Sequence, residues 1–377
     1  MPVKILSTHT LYRSKRFFSA FPSVVTAADG DILLAFRRAP DHRWLLGDIA
    51  EEDFNSVDHV HFRSHVAYAR LSPELEMRAA PSILPVHAEA GDQDGNLFLS
   101  KAGRLFQYSF RWYPITAEIR HKLRETGFTP YGANHLGAGF IPHSCYVRFS
   151  DDEGKSWSLP VDFEADPRGD PKQKWPEIPA PAAIRGRMIE LEGGDLLLPV
   201  YRDRFEGHDF EVVRFYRSTD QGLTWALEAD EVKFEGCSLQ EPTLAHWPKG
   251  KITLFNRTTH NGDRLITAQS GPDGRSFVAP TSLEVVGHPY DALVLPDGRL
   301  FLVYGYRHDP MGVRARVIEP GQDIRAAEEI IIRDDSPSAD TGYPSATLMA
   351  DGRILVAYYI ADAKGIRGIE ASILELD

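Results

Sequence analysis

Twelve short stretches of the chain, six at the start and six at the end of apolar segments, hold side chains able to bind and process an anion. Apolar segments open on Phe21-Pro22, Asp92 to Asp94, Arg185 to Arg187, Glu241-Pro242, His288-Pro289 and Tyr343-Pro344. Others end on Arg37-Arg38 with Asp41-His42 just beyond, Arg111-Trp112, Tyr201-Arg202-Asp203, Arg257, Tyr306-Arg307-His308 and Tyr358-Tyr359. Ordinary surface would scatter Lys, Ser and Gly at such places. Here arginines recur beside carboxylates, histidines and tyrosines. A guanidinium offers a planar fork that matches a carboxylate with two parallel hydrogen bonds, which a lysine cannot do. The ligand class expected is therefore a sugar bearing a carboxylate. The candidate ligand contacts among them are Arg257, Arg307, His288, Arg38, Asp94 and Arg187.

These residues need elements that bring them together, and a recurring hairpin supplies them. An apolar strand, a glycine turn and a second apolar strand recur over 24–36, 97–110, 188–201, 243–256, 292–306 and 346–359. The turns hold Asp29-Gly30, Gly103, Gly193-Gly194, Gly250, Asp297-Gly298 and Asp351-Gly352. A tight hairpin needs positive φ at its turn, which Asp-Gly and Gly-Xaa pairs provide. Six such hairpins predict six sheets of about four strands.

A second turn follows some hairpins. Residues 150–157 read Ser-Asp-Asp-Glu-Gly-Lys-Ser-Trp and residues 218–225 read Ser-Thr-Asp-Gln-Gly-Leu-Thr-Trp. Both fit S-x-D-x-G-x-[ST]-W, and weaker copies lie at 270–277 and around Glu319-Pro320-Gly321. The aspartate can accept amide hydrogens of its own turn, the glycine can adopt positive φ, and the tryptophan can anchor the turn.

These turns are Asp boxes, and over nearly its whole length the chain resembles the sialidase superfamily. The resemblance implies an all-β fold, a six-bladed β-propeller of four-stranded antiparallel blades, in agreement with the hairpin count. Residues 1–377 are expected to form one domain, with loop insertions in blades one and two at 39–58 and 112–142. The second insertion carries the clearest helix of the chain, over 116–125, a feature suited to a lid or a packing flap. The Asp boxes read as structural stitches. By exclusion, function is expected on the opposite rim, where the residues named above gather.

The resemblance also implies roles. Sialidases use a tyrosine nucleophile with a glutamate base, an aspartate acid/base and three arginines on the substrate carboxylate. Tyr343 stands in place of the nucleophile, Glu241 of its base and Asp41 of the acid/base; Asp48, Glu51 and Glu52 adjoin the last. Arg257 resembles the second arginine and Arg314 the third, with Arg307 as its rival. The first arginine departs from the pattern, because the chain reads Ser19-Ala20-Phe21-Pro22 where the family carries Tyr/Phe-Arg-Ile-Pro, and Arg16 is out of register. A free phenol has a pKa of about 10, so attack at neutral pH needs a base within hydrogen-bond reach. Acidic carbohydrates as substrate and an exo-acting glycoside hydrolase as activity follow from the resemblance. Two others are consistent with the same rim: a lyase that eliminates across a uronic acid, and a sugar-binding propeller without catalysis.

Composition narrows the remaining classes. The 377 residues carry 42 Lys and Arg against 54 Asp and Glu, a net charge of −12. No basic stripe of the kind that releases counterions from nucleic acid is visible, so no nucleic-acid partner is expected. No apolar run approaches the roughly 20 residues of a spanning helix, and the start has no apolar signal region, which predicts a cytoplasmic protein without a membrane partner. Cys145 and Cys237 are read as buried free thiols, and no cofactor or metal is called for.

Overall fold

A computed structural model describes residues 3–47, 60–132, 139–164, 167, 182–203 and 209–376. Strand pairing gives six antiparallel sheets, arranged as the blades of a propeller. Blade one comprises Phe17–Thr26, Ile32–Pro40, His65–Leu71 and Ser82–Ile83. Blade two comprises the broken inner strand Gly91–Asp92 and Asn96–Leu99, then Leu105–Ile115, Gly139–Ser150 and Val161–Asp162. Blade three runs through Ile189–Glu190, Leu196–Asp203, Val212–Ser218 and Ala226–Val232, and blade four through Ser238–His246, Ile252–Thr259, Arg264–Ser270 and Val278–Val286. Blade five comprises Tyr290–Val294, Leu300–Tyr306, Gly312–Ile318 and Ile330–Arg333. Blade six takes Gly342–Leu348, Ile354–Ala361 and Arg367–Leu376, and its outer strand is Val3–Arg13 from the other end of the chain. That pairing, Val3 opposite Leu376 through Arg13 opposite Gly368, closes the ring by hydrogen bonds rather than by packing alone.

The second strands read as continuous apolar runs because both faces are covered. In blade one, Leu34 and Phe36 pack toward blade six, while Leu33 and Ala35 pack toward blade two. The same alternation gives a separate apolar cluster at every blade-to-blade interface. With each sheet flanked on both faces, charged residues concentrate at strand ends and outer edges.

Both Asp boxes form the same turn. Asp152 accepts the Ser156 amide at 2.8 Å and the Ser156 hydroxyl at 2.6 Å, and Ser150 Oγ accepts the Gly154 amide at 2.7 Å. Asp220, Thr224, Ser218 and Gly222 repeat that geometry at 2.9, 2.6 and 2.7 Å. Gly154 and Gly222 both have φ +85. Each box also touches the preceding blade, Gly154 against the Tyr68 ring and Gly222 against the Phe106 ring. The boxes therefore stitch blade to blade as well as strand to strand.

The helix spans Ala117–Glu125, with the Thr116 hydroxyl accepting the Ile119 amide. None of its residues is buried and Ile119 is exposed, so its apolar stripe does not cap the blades. The two cysteines are free and buried. No helix among the described residues is long and apolar enough to cross a membrane.

At Gly222 a side chain would meet both a left-handed backbone and the Phe106 ring. Gly222→Ala is expected to lower stability by about 1–3 kcal/mol, seen as an earlier urea midpoint with unchanged slope. An unchanged midpoint would remove the inter-blade role of the box.

Candidate active site

Each blade brings one residue to the axis where its inner strand starts or is interrupted: Phe21, Asp94, Arg185, Glu241, His288 and Tyr343. Three of these breaks share a backbone device. Pairing skips from Ala20 to Ser23, from Gln240 to Thr243 and from Gly342 to Ser345. Within those bulges Phe21, Glu241 and Tyr343 have φ of +54, +49 and +47. Each precedes a proline, which donates no ladder hydrogen bond and so belongs at a bulge. A left-handed non-glycine residue costs about 1–3 kcal/mol, and such strain concentrates where a side chain must be re-aimed.

The re-aimed side chains meet. The Tyr343 hydroxyl donates to Glu241 Oε1 in a short hydrogen bond. Arg257 Nη1 donates to Glu241 Oε2 at 2.8 Å and lies 3.3 Å from the Tyr343 oxygen. Arg307 lies over the Tyr343 ring, 5.3 Å from its centre, and its polar contacts, to Thr341 O and the Tyr359 hydroxyl, are long at 3.4 and 3.5 Å. Nε of both Arg257 and Arg307 is buried without a hydrogen-bond partner among the described residues. Buried donors left open in this way can be met by a water or by a ligand.

Electrostatics follows from this geometry. Burial opposes ionisation of Glu241, but the charge and hydrogen bond of Arg257, the Tyr343 hydrogen bond and Arg307 outweigh it and hold the carboxyl below its usual range. Burial, reinforced by the Glu241 charge, pushes the Tyr343 phenol upward. The resting pair is thus a neutral phenol donating to a carboxylate. His288 is pushed down to about 4, first by burial and then by Arg257, although Asp263 opposes the shift.

The other expected site residues are distributed as follows. Asp94 is buried, with Arg185 Nε 3.8 Å from its Oδ2. His288 Nε2 is 3.1 Å from Asp263 Oδ1, and His308 Nε2 is 3.0 Å from Asp263 Oδ2. Asp41 is buried and both its oxygens are engaged by Arg43, with Nε at 3.0 Å from each and Nη2 at 2.5 Å. Its contacts are to that guanidinium rather than to the Tyr343 group. Asp48, Glu51 and Glu52 lie outside the described residues. Arg314 bonds the carbonyls of Pro310 and Arg333 from a third strand, farther from the axis, so Arg307 is the arginine of blade five that reaches Tyr343. Arg38 donates to His65 at 3.2 Å and sits over the Phe17 ring. Arg187 forms a two-pronged pair with Asp291 at 3.1 and 2.8 Å and also donates to Ala346 O, tying blade three to blades five and six. It lines a small cavity of about 20 Å³ together with Asn96, Tyr108 and Asp291 among others.

Sequence reasoning overlooked Arg185, Arg37 and Asp263 as individual candidates. Arg185 donates to Tyr343 O at 2.9 Å and to Pro22 O at 3.2 Å, with its cation 5.2 Å from the Tyr343 ring centre. Residues two apart on a regular strand share a face, so Arg185 and Arg187 should point alike. Gly186, at φ +107, parts them, and a glycine between two arginines was the available signal. Arg37 is fully buried over the Phe21 ring, whereas Arg38 faces His65.

The buried histidines make an acid-side prediction. His61, His65, His143 and His288 all fall to about 4, in each case chiefly through burial. Between about pH 6.5 and 4 the unfolded chain binds more protons than the folded one, so stability should fall as pH falls through that window. Replacing His288 with Asn should shallow that decline in thermal-unfolding midpoints; an unchanged slope would mean that His288 is not buried neutral.

Residues 132–356 match the BNR repeat-like domain family. No curated protein sequence matches the chain. Among solved structures, a protein of unknown function from Dyadobacter fermentans is 33% identical, with 100% of this chain and 99% of that chain covered and a TM-score of 0.87. The NanB sialidase of Streptococcus pneumoniae is 12% identical, with 99% and 70% covered and a TM-score of 0.67. A leech intramolecular trans-sialidase is 15% identical, with 98% and 70% covered and a TM-score of 0.63. At such identities the two sialidases bear on the fold alone. Sequence match, repeat turns and blade count agree, and the chain belongs to the BNR repeat-like domain family, with the fold of a six-bladed propeller.

Proposed function

We propose that the protein is a glycoside hydrolase acting on a sugar that carries a carboxylate. The observation that carries this reading is the buried Tyr343 hydroxyl donating to Glu241 with Arg257 against both. A phenol so placed can attack an anomeric carbon while its proton passes to Glu241, and Arg257 keeps the base ionised until then. A neutral nucleophile suits a carbon beside a carboxylate, because an anionic one would be repelled. Arg257 and Arg307, each with a buried open donor, supply charge for the substrate carboxylate. The net charge of −12 makes that local cluster the attractive feature for an anion, within a screening length of about 8 Å.

One observation favours a second reading, β-elimination from a uronic acid. His288 stays neutral beside Arg257 and is oriented by Asp263, as a base that removes an α-proton must be. Elimination leaves an unsaturated product that absorbs in the ultraviolet, whereas hydrolysis leaves none.

Product analysis over 4-methylumbelliferyl glycosides of ulosonic and uronic acids separates these readings. Hydrolysis is expected, with Tyr343→Phe and Glu241→Gln each slowing turnover roughly a hundred- to ten-thousand-fold while a folded protein is retained. Undiminished turnover by Tyr343→Phe would end the nucleophile assignment. Carbohydrate binding without turnover in the wild type would leave a lectin.

A further inference from the structure

The cavity that Arg187 lines lies on the propeller axis, because five of the six blades contribute to its wall. Ser23 comes from blade one, Asn96 from blade two, Arg185 and Arg187 from blade three, Asp291 from blade five and Ser345 from blade six. None of Tyr343, Glu241 and Arg257 lines it. Its volume of about 20 Å³ is room for one body the size of a water, so neither a sugar nor a sugar carboxylate fits.

The wall is rich in donors that the protein itself leaves unused. Arg185 is 4% exposed, and its Nη2 donates to Tyr343 O and Pro22 O at 2.9 and 3.2 Å. Its Nη1 is buried with no partner among the described residues. Arg187 directs Nε and Nη2 to Asp291 and Ala346 O, and its Nη1 makes no hydrogen bond among the described residues. Ser23 Oγ accepts the Leu97 amide at 2.9 Å and Ser345 Oγ accepts the Val24 amide at 3.2 Å. Neither hydroxyl hydrogen is given to an acceptor among the described residues.

The acceptors of the wall are fewer. Both Asp291 oxygens are engaged, Oδ1 by Arg187 Nε at 3.1 Å and Oδ2 by Arg187 Nη2 and the Ala346 amide, each at 2.8 Å. Asn96 donates through Nδ2 to Tyr108 O at 3.1 Å, and its Oδ1 stands open. Charge is uneven as well, with two guanidiniums to one carboxylate. Asp94 approaches Arg185 from the Nε edge, at 3.8 Å, which is beyond hydrogen-bond reach and away from Nη1. Burial above all pushes Asp94 up to about 7 against the pull of Arg185, so it balances that cation incompletely. A buried guanidinium whose donors meet no acceptor calls for a negative charge beside it.

We propose that this axial cavity is a binding site for one monatomic anion of chloride size, held by Arg185 Nη1, Arg187 Nη1 and the hydroxyls of Ser23 and Ser345. Such an ion accepts from every open donor and needs no acceptor in return. A water in its place would accept from two donors and bring two hydrogens of its own into a wall with little to receive them. The one open amide oxygen opposes an anion as a neutral dipole, which is less than two guanidiniums attract it. The ion's role is structural. It balances the charge of Arg185, which holds the backbone of Tyr343, and it joins five blades at one centre. The site takes no part in bond making, so it stands or falls apart from the hydrolase reading.

Two measurements test it. In crystals grown with sodium bromide, the anomalous signal of bromine is expected in the axial cavity, in contact with Arg185, Arg187, Ser23 and Ser345. In solution, sodium chloride or bromide should raise the thermal-unfolding midpoint by at least about 2 °C over sodium gluconate of equal ionic strength, and the rise should saturate. Arg185→Met should lose both the bromine signal and the halide response. Ser345→Ala, a gentler change, should need at least about tenfold more halide for half the rise, and it decides the matter with the wild type if Arg185→Met does not fold. Axial density without a bromine signal would identify a water and overturn the proposal. So would a halide response that both variants keep unchanged. A bromine signal with no saturable response in solution would mark an adventitious ion only, and would overturn it too.

Discussion

A carboxylate taken out of water must be neutralised where it stands, and the centre of this propeller is arranged around that requirement at Glu241. Its side chain is 6% exposed, and Arg257 at 2.8 Å together with the Tyr343 hydroxyl is what keeps it ionised. Removing one partner of such a buried pair leaves an uncompensated charge, which costs far more than the pair contributes. Tyr343 and Arg257 are consequently constrained as tightly as Glu241. The phenol is held against a base, the base against a cation, and the cation retains a buried donor that neither of them uses.

Regular strands could not bring these groups together, since they belong to blades four and six. Bulges at Glu241 and Tyr343 turn both side chains toward the axis, at a cost of about 1–3 kcal/mol each. That strain persists only if the surrounding frame is stiff. The apolar clusters at the blade interfaces and the hydrogen-bonded closure between Val3–Arg13 and Arg367–Leu376 provide the stiffness. Arg187 adds to it from inside the ring, which is why a residue resembling a ligand contact turns out to bind Asp291 and Ala346 O.

How much of this was legible in the chain depends on whether regular periodicity survives. The six hairpins and both Asp boxes are local patterns with fixed glycine positions, and the structure reproduces them turn for turn. Glu241 and Tyr343 could be picked out because Glu-Pro and Tyr-Pro each open an apolar run, where the resemblance places a base and a nucleophile; the bulges that aim them were not read from the sequence. The arginines were less so. Choosing between Arg37 and Arg38, Arg185 and Arg187, or Arg307 and Arg314 requires the phase of side-chain alternation, and a bulge or a glycine at positive φ resets that phase. Asp41 failed to reveal its partner for another reason: Arg43 lies two residues on, in a 3-10 turn that sequence alone did not announce.

The departure at Ala20 also acquires a physical meaning. Ala20 pairs with Arg37 across blade one, and the bulged residue beside it, Phe21, stands 4.7 Å from the Tyr343 ring and 5.3 Å from that of Tyr359. The Tyr359 hydroxyl donates to Asp340 at 2.5 Å and touches Arg307. On this side of Tyr343 the site therefore presents aromatic rings, while buried open guanidinium donors lie at Arg185, Arg257 and Arg307. Aromatic rings confine the Tyr343 phenol sterically and exclude water without adding charge, which strengthens the Glu241 and Arg257 interactions already there. Under the hydrolase reading proposed above, an anionic sugar would meet cations on one side and ring faces on the other, and selectivity would rest on the shape of the sugar beside its carboxylate as much as on the carboxylate itself.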